Sequence, residues 1–302
     1  MSRVRIFQVD AFTTQAFAGN PAGVVLDAQC LNDAEMQQIA RELNNGDTIF
    51  LLPADAPDHD LRARFFTPRA ESAFVGHASI AAHAVLATLG LPPARRQKQC
   101  SGIVEFERQT DARGQRYAFT QPPPPVQRVF DGETLQATLV ALGLQPGELD
   151  LRCPAVVAGA SGSRALIAVR DGTALARLRP NMPQLAALSA AGAPAGYFIY
   201  TLTPAVPGCL TEARMFCPVI GIPEDPVSGN AHAMLAAHLY RLGLLATDNT
   251  GAQFVARQGH HIGRPGLLSI EVRVTGDQVS SVQVAGSAVI VFAAAIELPK
   301  VA

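Results

Sequence analysis

The 302-residue sequence predicts an α+β protein of two pseudo-symmetric domains, each a β-sheet or barrel wrapped round a central helix. Three features carry that reading. The length fits one large or two medium domains. The chain repeats itself in order. Two segments at matching places in the repeat read as helices that are apolar nearly all round, as a helix enclosed by a sheet must be.

The repeat is the strongest of the three. Ala63-Arg64-Phe65-Phe66-Thr67-Pro68 returns 150 residues later as Ala213-Arg214-Met215-Phe216-Cys217-Pro218, with four of six positions identical. Gly76-His77-Ala78-Ser79 opens a segment that closes on Leu89-Gly90-Leu91. At an offset of 153, Gly229-Asn230-Ala231-His232 opens one that closes on Leu242-Gly243-Leu244. A weaker echo joins Gly19-Asn20-Pro21-Ala22-Gly23-Val24 to Gly162-Ser163-Arg164-Ala165-Leu166-Ile167. Ala-rich strand–turn–helix units also look alike without common descent, but three echoes in one order favour duplication. The halves are placed at 1–125 and 126–286.

Along the chain, Val4 to Val9 and Gly23 to Leu26 read as strands. Asn32-Asp33-Ala34-Glu35 has the form of a capping box, opening a helix that runs to about Leu43. Thr48 to Leu52 and Leu61 to Thr67 are strand-like. Gly76 to Leu89 is the first central helix, with Gly90 as its stop. Gln121-Pro122-Pro123-Pro124-Pro125 can continue neither strand nor helix and reads as a linker. Tyr197 to Leu202 and Glu212 to Phe216 are strands, Gly229 to Leu242 is the second central helix, and Leu268 to Leu298 reads as further strands.

Composition excludes several functions. With 48% apolar and 16% charged residues the chain can bury a large core. The net charge of −1 and the lack of any basic tract beyond Arg95-Arg96-Gln97-Lys98 argue against nucleic acid. No apolar run is long enough to span a bilayer. The N-terminus lacks the apolar core of a signal peptide, and five scattered cysteines suit reduced thiols, so a cytoplasmic protein is expected. The two lysines, Lys98 and Lys300, stand in a charged run and near the C-terminus, which argues against a Schiff base. No Walker loop or GxGxxG occurs. Gly159-Ala160-Ser161-Gly162-Ser163 lacks the closing glycine of a nucleophile elbow. His77/His83 and His232/His238 are each six apart and face different ways on a helix. Adjacent His260-His261 read as surface loop residues. No metal and no organic cofactor is expected.

What remains is a pair of helix starts, Gly76-His77-Ala78 and Gly229-Asn230-Ala231. A helix N-terminus offers unpaired N–H groups and the positive end of its dipole. Glycine there lets a ligand approach. If the halves face each other, both starts point into one cleft suited to a carboxylate. The acid–base candidates lie beside them: Asp47 before Thr48-Ile49-Phe50, His77 at the first helix start, and Asp225 in the loop leading to the second. Each has a structural alternative, a turn or cap carboxylate for the aspartates and a helix-cap histidine for His77.

These residues resemble the phenazine-biosynthesis PhzF-like family, which has a diaminopimelate-epimerase-like fold. The resemblance rests on Val9-Asp10-Ala11-Phe12, Gly19 to Val24, Asp47 to Phe50, Phe66-Thr67-Pro68 with Gly76-His77-Ala78, Arg214-Met215-Phe216, Glu224-Asp225-Pro226 with Gly229-Asn230-Ala231, and Gly263-Arg264-Pro265-Gly266. It implies a cofactor-independent isomerase whose carboxylate, here Asp47, shuttles a proton between ring carbons. His77 and Asp225 would assist, while Gly76, Gly229 and Asn230 would line the substrate site. It also implies that the closing segment, about 287–302, returns to the first domain. Two positions depart from the family enzyme, which has glutamate at Asp47 and serine at Asn230. Related epimerases and racemases use one cysteine before each helix; here those positions are Val75 and Ser228. An epimerase with other bases and a non-catalytic carboxylate binder are the alternatives. The expected partners are a small carboxylate-bearing substrate and a second copy of the chain in a homodimer.

Overall fold

The computed structural model describes residues 3–111, 114–159, 163–248 and 250–297. Ala160 to Gly162 of the elbow-like stretch, and Lys300, lie outside them. The chain forms two compact units, Met1–Thr120 with Ala285–Ala302, and Gln121–Val284. The division falls before the four prolines, which belong to neither strand nor helix.

The first unit contains β1 (Arg3–Ala11), β2 (Asn20–Val25), α1 (Asp33–Leu43), β3 (Asp47–Pro53), β4 (Leu61–Phe66), β5 (Glu71–Ser72), α2 (Gly76–Thr88), β6 (Arg96–Gln99), β7 (Gly102–Asp111) and β8 (Gly114–Gln121). The second contains β9 (Val126–Val129), α3 (Gly132–Leu142), β10 (Val156–Ala158), β11 (Arg164–Ala168), α4 (Gly172–Ala176), α5 (Met182–Ala190), β12 (Gly196–Thr201), β13 (Thr211–Cys217), β14 (Ile222–Asp225), α6 (Gly229–Arg241), β15 (Thr247–Asp248), β16 (Gly251–Gln258), β17 (Gly266–Thr275) and β18 (Gln278–Gly286). The last strand, β19 (Ala288–Glu297), pairs antiparallel with β1 from Arg3↔Glu297 to Ala11↔Ala288.

The two units repeat one pairing scheme. In the first, β1–β2 is antiparallel, β2–β3 parallel, β3–β4 antiparallel, β4–β6 parallel and β6–β7 antiparallel. In the second, β10–β11, β11–β12, β12–β13, β13–β16 and β16–β17 follow the same sequence of directions. Parallel neighbours need a crossover, which α1 and α2 supply in one unit and α5 and α6 in the other.

The first sheet closes round α2, which packs on β1, β2, β3 and β19. Its residues 77–85 are buried without a break. Alanine at 78, 81, 82 and 84 favours the helix and lets strands approach from every side. Helix α6 is enclosed in the same way, with ten buried residues, and packs against β17. The outer face of the first sheet is covered by α1. Met36, Ile39 and Ala40 meet Val4, Ile6, Val25, Phe50 and Phe66 there. The Asn32 side chain accepts from the Glu35 N–H, and Glu35 accepts from the Asn32 N–H, so the capping box forms as the sequence predicts. No helix among the described residues is long and apolar enough to cross a membrane.

The repeated Ala-Arg-x-Phe motif has a structural meaning. Arg64 lies 5.1 Å from the Phe66 ring and clasps Glu71 on β5 at 2.7 and 2.8 Å. Arg214 lies 5.1 Å from the Phe216 ring and clasps Glu224 on β14 at 3.0 and 2.7 Å. In each unit the bidentate pair ties the returning segment to the strand just before it enters the central helix.

Candidate functional site

In the first unit, the fold brings two of the sequence-predicted residues, Asp47 and His77, together. Asp47 opens β3 opposite Ala22 of β2. Its approach is fixed by Asn44, which ends α1 with φ at +52°, and by Asn45, whose amide exchanges two hydrogen bonds with Gln8 of β1 at 3.1 and 2.8 Å. His77 stands in the first turn of α2, with Nε2 3.8 Å from Oδ2 of Asp47. Both side chains are largely covered, 10% exposed for His77 and 14% for Asp47.

The residue before α2 is Val75, which has no acceptor side chain, so the first turn of this helix lacks a side-chain cap. The glycine that opens it also answers to packing. A Cβ on Gly76 would stand 2.8 Å from two carbons of the Phe119 ring. An aromatic ring pressing on the helix start is thus a second demand for glycine here, beside the one the sequence suggested.

Burial pushes the His77 imidazole down to about 4 from its ordinary 6.5. His77 is therefore neutral at pH 7, and Nε2 makes no hydrogen bond among the described residues. An unfolded chain protonates this residue near pH 6.5, while the folded one resists until about pH 4. Its contribution is fully present above pH 6.5 and is lost as the pH falls through that window. The urea midpoint of the protein is expected to drop from pH 6.5 towards 4, and His77→Gln to remove part of that slope. An unchanged slope in the variant would show that His77 is not held neutral.

In the second unit, β14 ends on Asp225 and α6 begins at Gly229. Here the cap is Ser228, whose hydroxyl accepts from the Ala231 N–H at 3.3 Å. Asn230 accepts from the Gln121 amide at 3.4 Å. The intervening loop is clamped by Gln258, a residue the sequence did not single out. Its Nε2 donates to the Asp225 carbonyl at 2.7 Å, and its Oε1 accepts from the Ser228 N–H at 3.1 Å. Next to it, Gly259 adopts φ +87°, and a Cβ there would meet the Pro226 carbonyl oxygen at 2.6 Å. The sequence hint was present, a glutamine and a glycine at a strand end, but only the fold shows which loop they hold.

His232, one turn into α6, is fully buried, with Nδ1 2.8 Å from the Ser228 carbonyl and its pKa pushed by burial to about 4. Val75 and Ser228 occupy the two helix caps, so neither position can supply a thiol. Cys153 and Cys217 are buried, and none of the five cysteines is in a disulfide.

His260 and His261 are not surface loop residues. They form a 3-10 turn after β16, and both point at the buried carboxylate of Glu212 on β13.

A family model described as phenazine biosynthesis-like protein matches residues 9–294. An uncharacterised isomerase of Clostridium acetobutylicum is 36% identical, over 96% of this chain and 97% of its own. The trans-2,3-dihydro-3-hydroxyanthranilate isomerase of Pseudomonas aeruginosa is 30% identical, over 94% of this chain and 95% of its own. The crystal structure of the Bacillus anthracis phenazine biosynthesis protein of the PhzF family has the same fold. It matches with a TM-score of 0.88 at 24% identity, over 99% of this chain and 100% of that one.

Proposed function

The chain belongs to the phenazine biosynthesis-like family, and from that premise we propose that it is a cofactor-independent isomerase of a small carboxylate-bearing metabolite. Asp47 is assigned the proton transfer. His77 and Asp225 assist, and Gly229 and Asn230 contact the substrate. Gly76 belongs to the site by position, its hydrogen side chain making room for Phe119.

One observation carries this reading: a covered carboxylate stands 3.8 Å from a neutral, covered imidazole at the uncapped start of α2. A proton shuttle must visit both protonation states. A charged histidine at this distance would hold Asp47 as a permanent anion. A neutral one leaves it able to accept and return a proton. The first-turn N–H groups of α2 are suited to a substrate carboxylate, which adds a like charge near Asp47 and favours its protonated form during the reaction. The two-thiol route of related racemases has no thiol at Val75 or Ser228.

The activity would belong in the cytoplasm, where five cysteines outside any disulfide stay reduced. Incubation with trans-2,3-dihydro-3-hydroxyanthranilate and other small unsaturated carboxylates in deuterated water tests the reaction class. Mass spectrometry should find deuterium entering a carbon position of the turned-over compound. A ligand that is bound but never exchanges carbon-bound hydrogen would make the protein a carboxylate binder instead.

A further inference from the structure

Glu212 is the least expected charged residue in the second unit. It is the second residue of a strand whose seven residues are all buried, and its side chain is only 2% exposed. In the repeat its counterpart in β4 is Arg62, a half-exposed residue paired with Asp55, so duplication does not account for a carboxylate here. The groups round it come from the end of β16 and the turn that follows. His260 Nε2 stands 2.8 Å from Oε1, and His261 Nε2 stands 3.5 Å from the same oxygen. The other oxygen, Oε2, accepts from the Ala205 N–H at 3.1 Å and faces Arg257 at 3.5 Å. The carboxylate is thus oriented through Oε2, with two imidazoles converging on Oε1.

We propose that Glu212, His260 and His261 form a binding site for one divalent cation of the zinc type. The three donor atoms lie within 4.8 Å of one another. Zinc bonds to nitrogen and carboxylate oxygen are about 2.0–2.2 Å, which puts tetrahedral donors roughly 3.3 Å apart. The separations of 2.8 and 3.5 Å bracket that value, so small side-chain movements admit the ion. A second observation points the same way. Nε2 of His261 is buried and makes no hydrogen bond, although it faces a carboxylate oxygen. Its one contact there is the Glu212 oxygen at 3.5 Å, longer than an ordinary hydrogen bond, and a shared cation would satisfy both groups. Two histidines and one glutamate are a nitrogen–oxygen set that leaves a fourth position for water.

The cation would lock a particular part of the fold. β13 and β16 are parallel neighbours in the register Glu212↔Arg257 and Ala213↔Gln258. Gln258 is the residue that clamps the loop from Asp225 to Ser228. An ion bridging Glu212 to the turn at His260 fixes the strand end from which that clamp projects. The site stands whether or not Asp225 contacts substrate, and its test does not use turnover.

Full-length protein stripped with a chelator is titrated with zinc chloride by calorimetry, and separately with cobalt(II) followed by its visible spectrum. The expected result is one ion per chain, a cobalt spectrum of low coordination without thiolate charge transfer, and a higher thermal midpoint with zinc. His261→Ala should weaken zinc binding by about 100-fold or more and abolish the thermal shift, while its metal-free midpoint shows that it folds. Glu212→Gln should do the same. If that variant does not fold, His261→Ala decides alone. Absence of stoichiometric binding by the wild type overturns the proposal, as does equal binding by His261→Ala. A thiolate signature would place the ion on cysteine and also overturn it.

Discussion

Replacing Arg214 by alanine is expected to destabilise the second unit by about 3–5 kcal/mol, the usual cost of stripping one partner from a buried ion pair. The side chains of Arg214 and Glu224 are each 9% exposed, and two parallel hydrogen bonds join them. The guanidinium also donates to the carbonyls of Leu175 and Leu178 at 3.2 and 3.4 Å. Alanine strands the Glu224 carboxylate in a dry environment, while the Leu175 carbonyl keeps the Leu178 N–H and the Leu178 carbonyl keeps the Arg179 guanidinium as donors. The repeat supplies an internal control. Arg64 makes the same pair with Glu71, but those side chains are 29% and 40% exposed, and water can replace either partner. Arg64→Ala should therefore cost about 1 kcal/mol or less. Urea denaturation of the two variants measures the contrast. Adding Glu224→Gln to Arg214→Ala should recover part of the loss, since it removes the stranded charge. Equal small losses at both arginines would mean that the second pair is not an anchor. Because Glu224 directly precedes Asp225, the double variant also reports whether the loop entering α6 depends on this brace.

The same pair shows what a sequence can and cannot reveal. Periodicity and caps act over a few residues, so α1 with its Asn32–Glu35 box and the starts of α2 and α6 are legible directly. The repeated Ala-Arg-x-Phe is legible as a repeat, but its purpose is not. The Glu71 and Glu224 partners become meaningful only when β5 and β14 fold back on their neighbours. Helix α3 passed unread although Asp131 and Gly143 bracket it, because its apolar residues lack a clear polar face. Glu212 and His260 meet across a parallel strand pair, and nothing in a linear reading joins residues so far apart. Gly76 marks the converse case: its identity was legible, its packing reason was not, since Phe119 reaches it from a hairpin beyond the helix.

Asp47→Asn is expected to lower turnover by about 100-fold or more while leaving substrate affinity nearly unchanged. Asparagine keeps the size and the hydrogen-bonding reach of the side chain but cannot accept and return a proton. The surroundings favour a functional loss over a structural one. Asp47 opens its strand, its side chain is 14% exposed, and the groups that shape its approach are the backbone of Asn44 and the Gln8–Asn45 pair, which the substitution does not touch. The neutral His77 beside it has no charge to strand, so a neutral amide should be tolerated. Asp47→Glu adds one methylene and introduces the residue that the family resemblance implies at this position. Carboxylate reach is what proton transfer at about 2.6–3.2 Å discriminates, so this variant should retain acid–base chemistry yet shift preference among substrates. An increase on trans-2,3-dihydro-3-hydroxyanthranilate would show that the shorter aspartate tunes the site towards a different metabolite. Deuterium incorporation, measured beside equilibrium binding of the same compound, separates the outcomes. Loss of exchange with retained binding supports Asp47 as the shuttle. Full exchange in Asp47→Asn removes it from that role and moves the proton transfer to Asp225 or His77, each testable by the same pair of measurements.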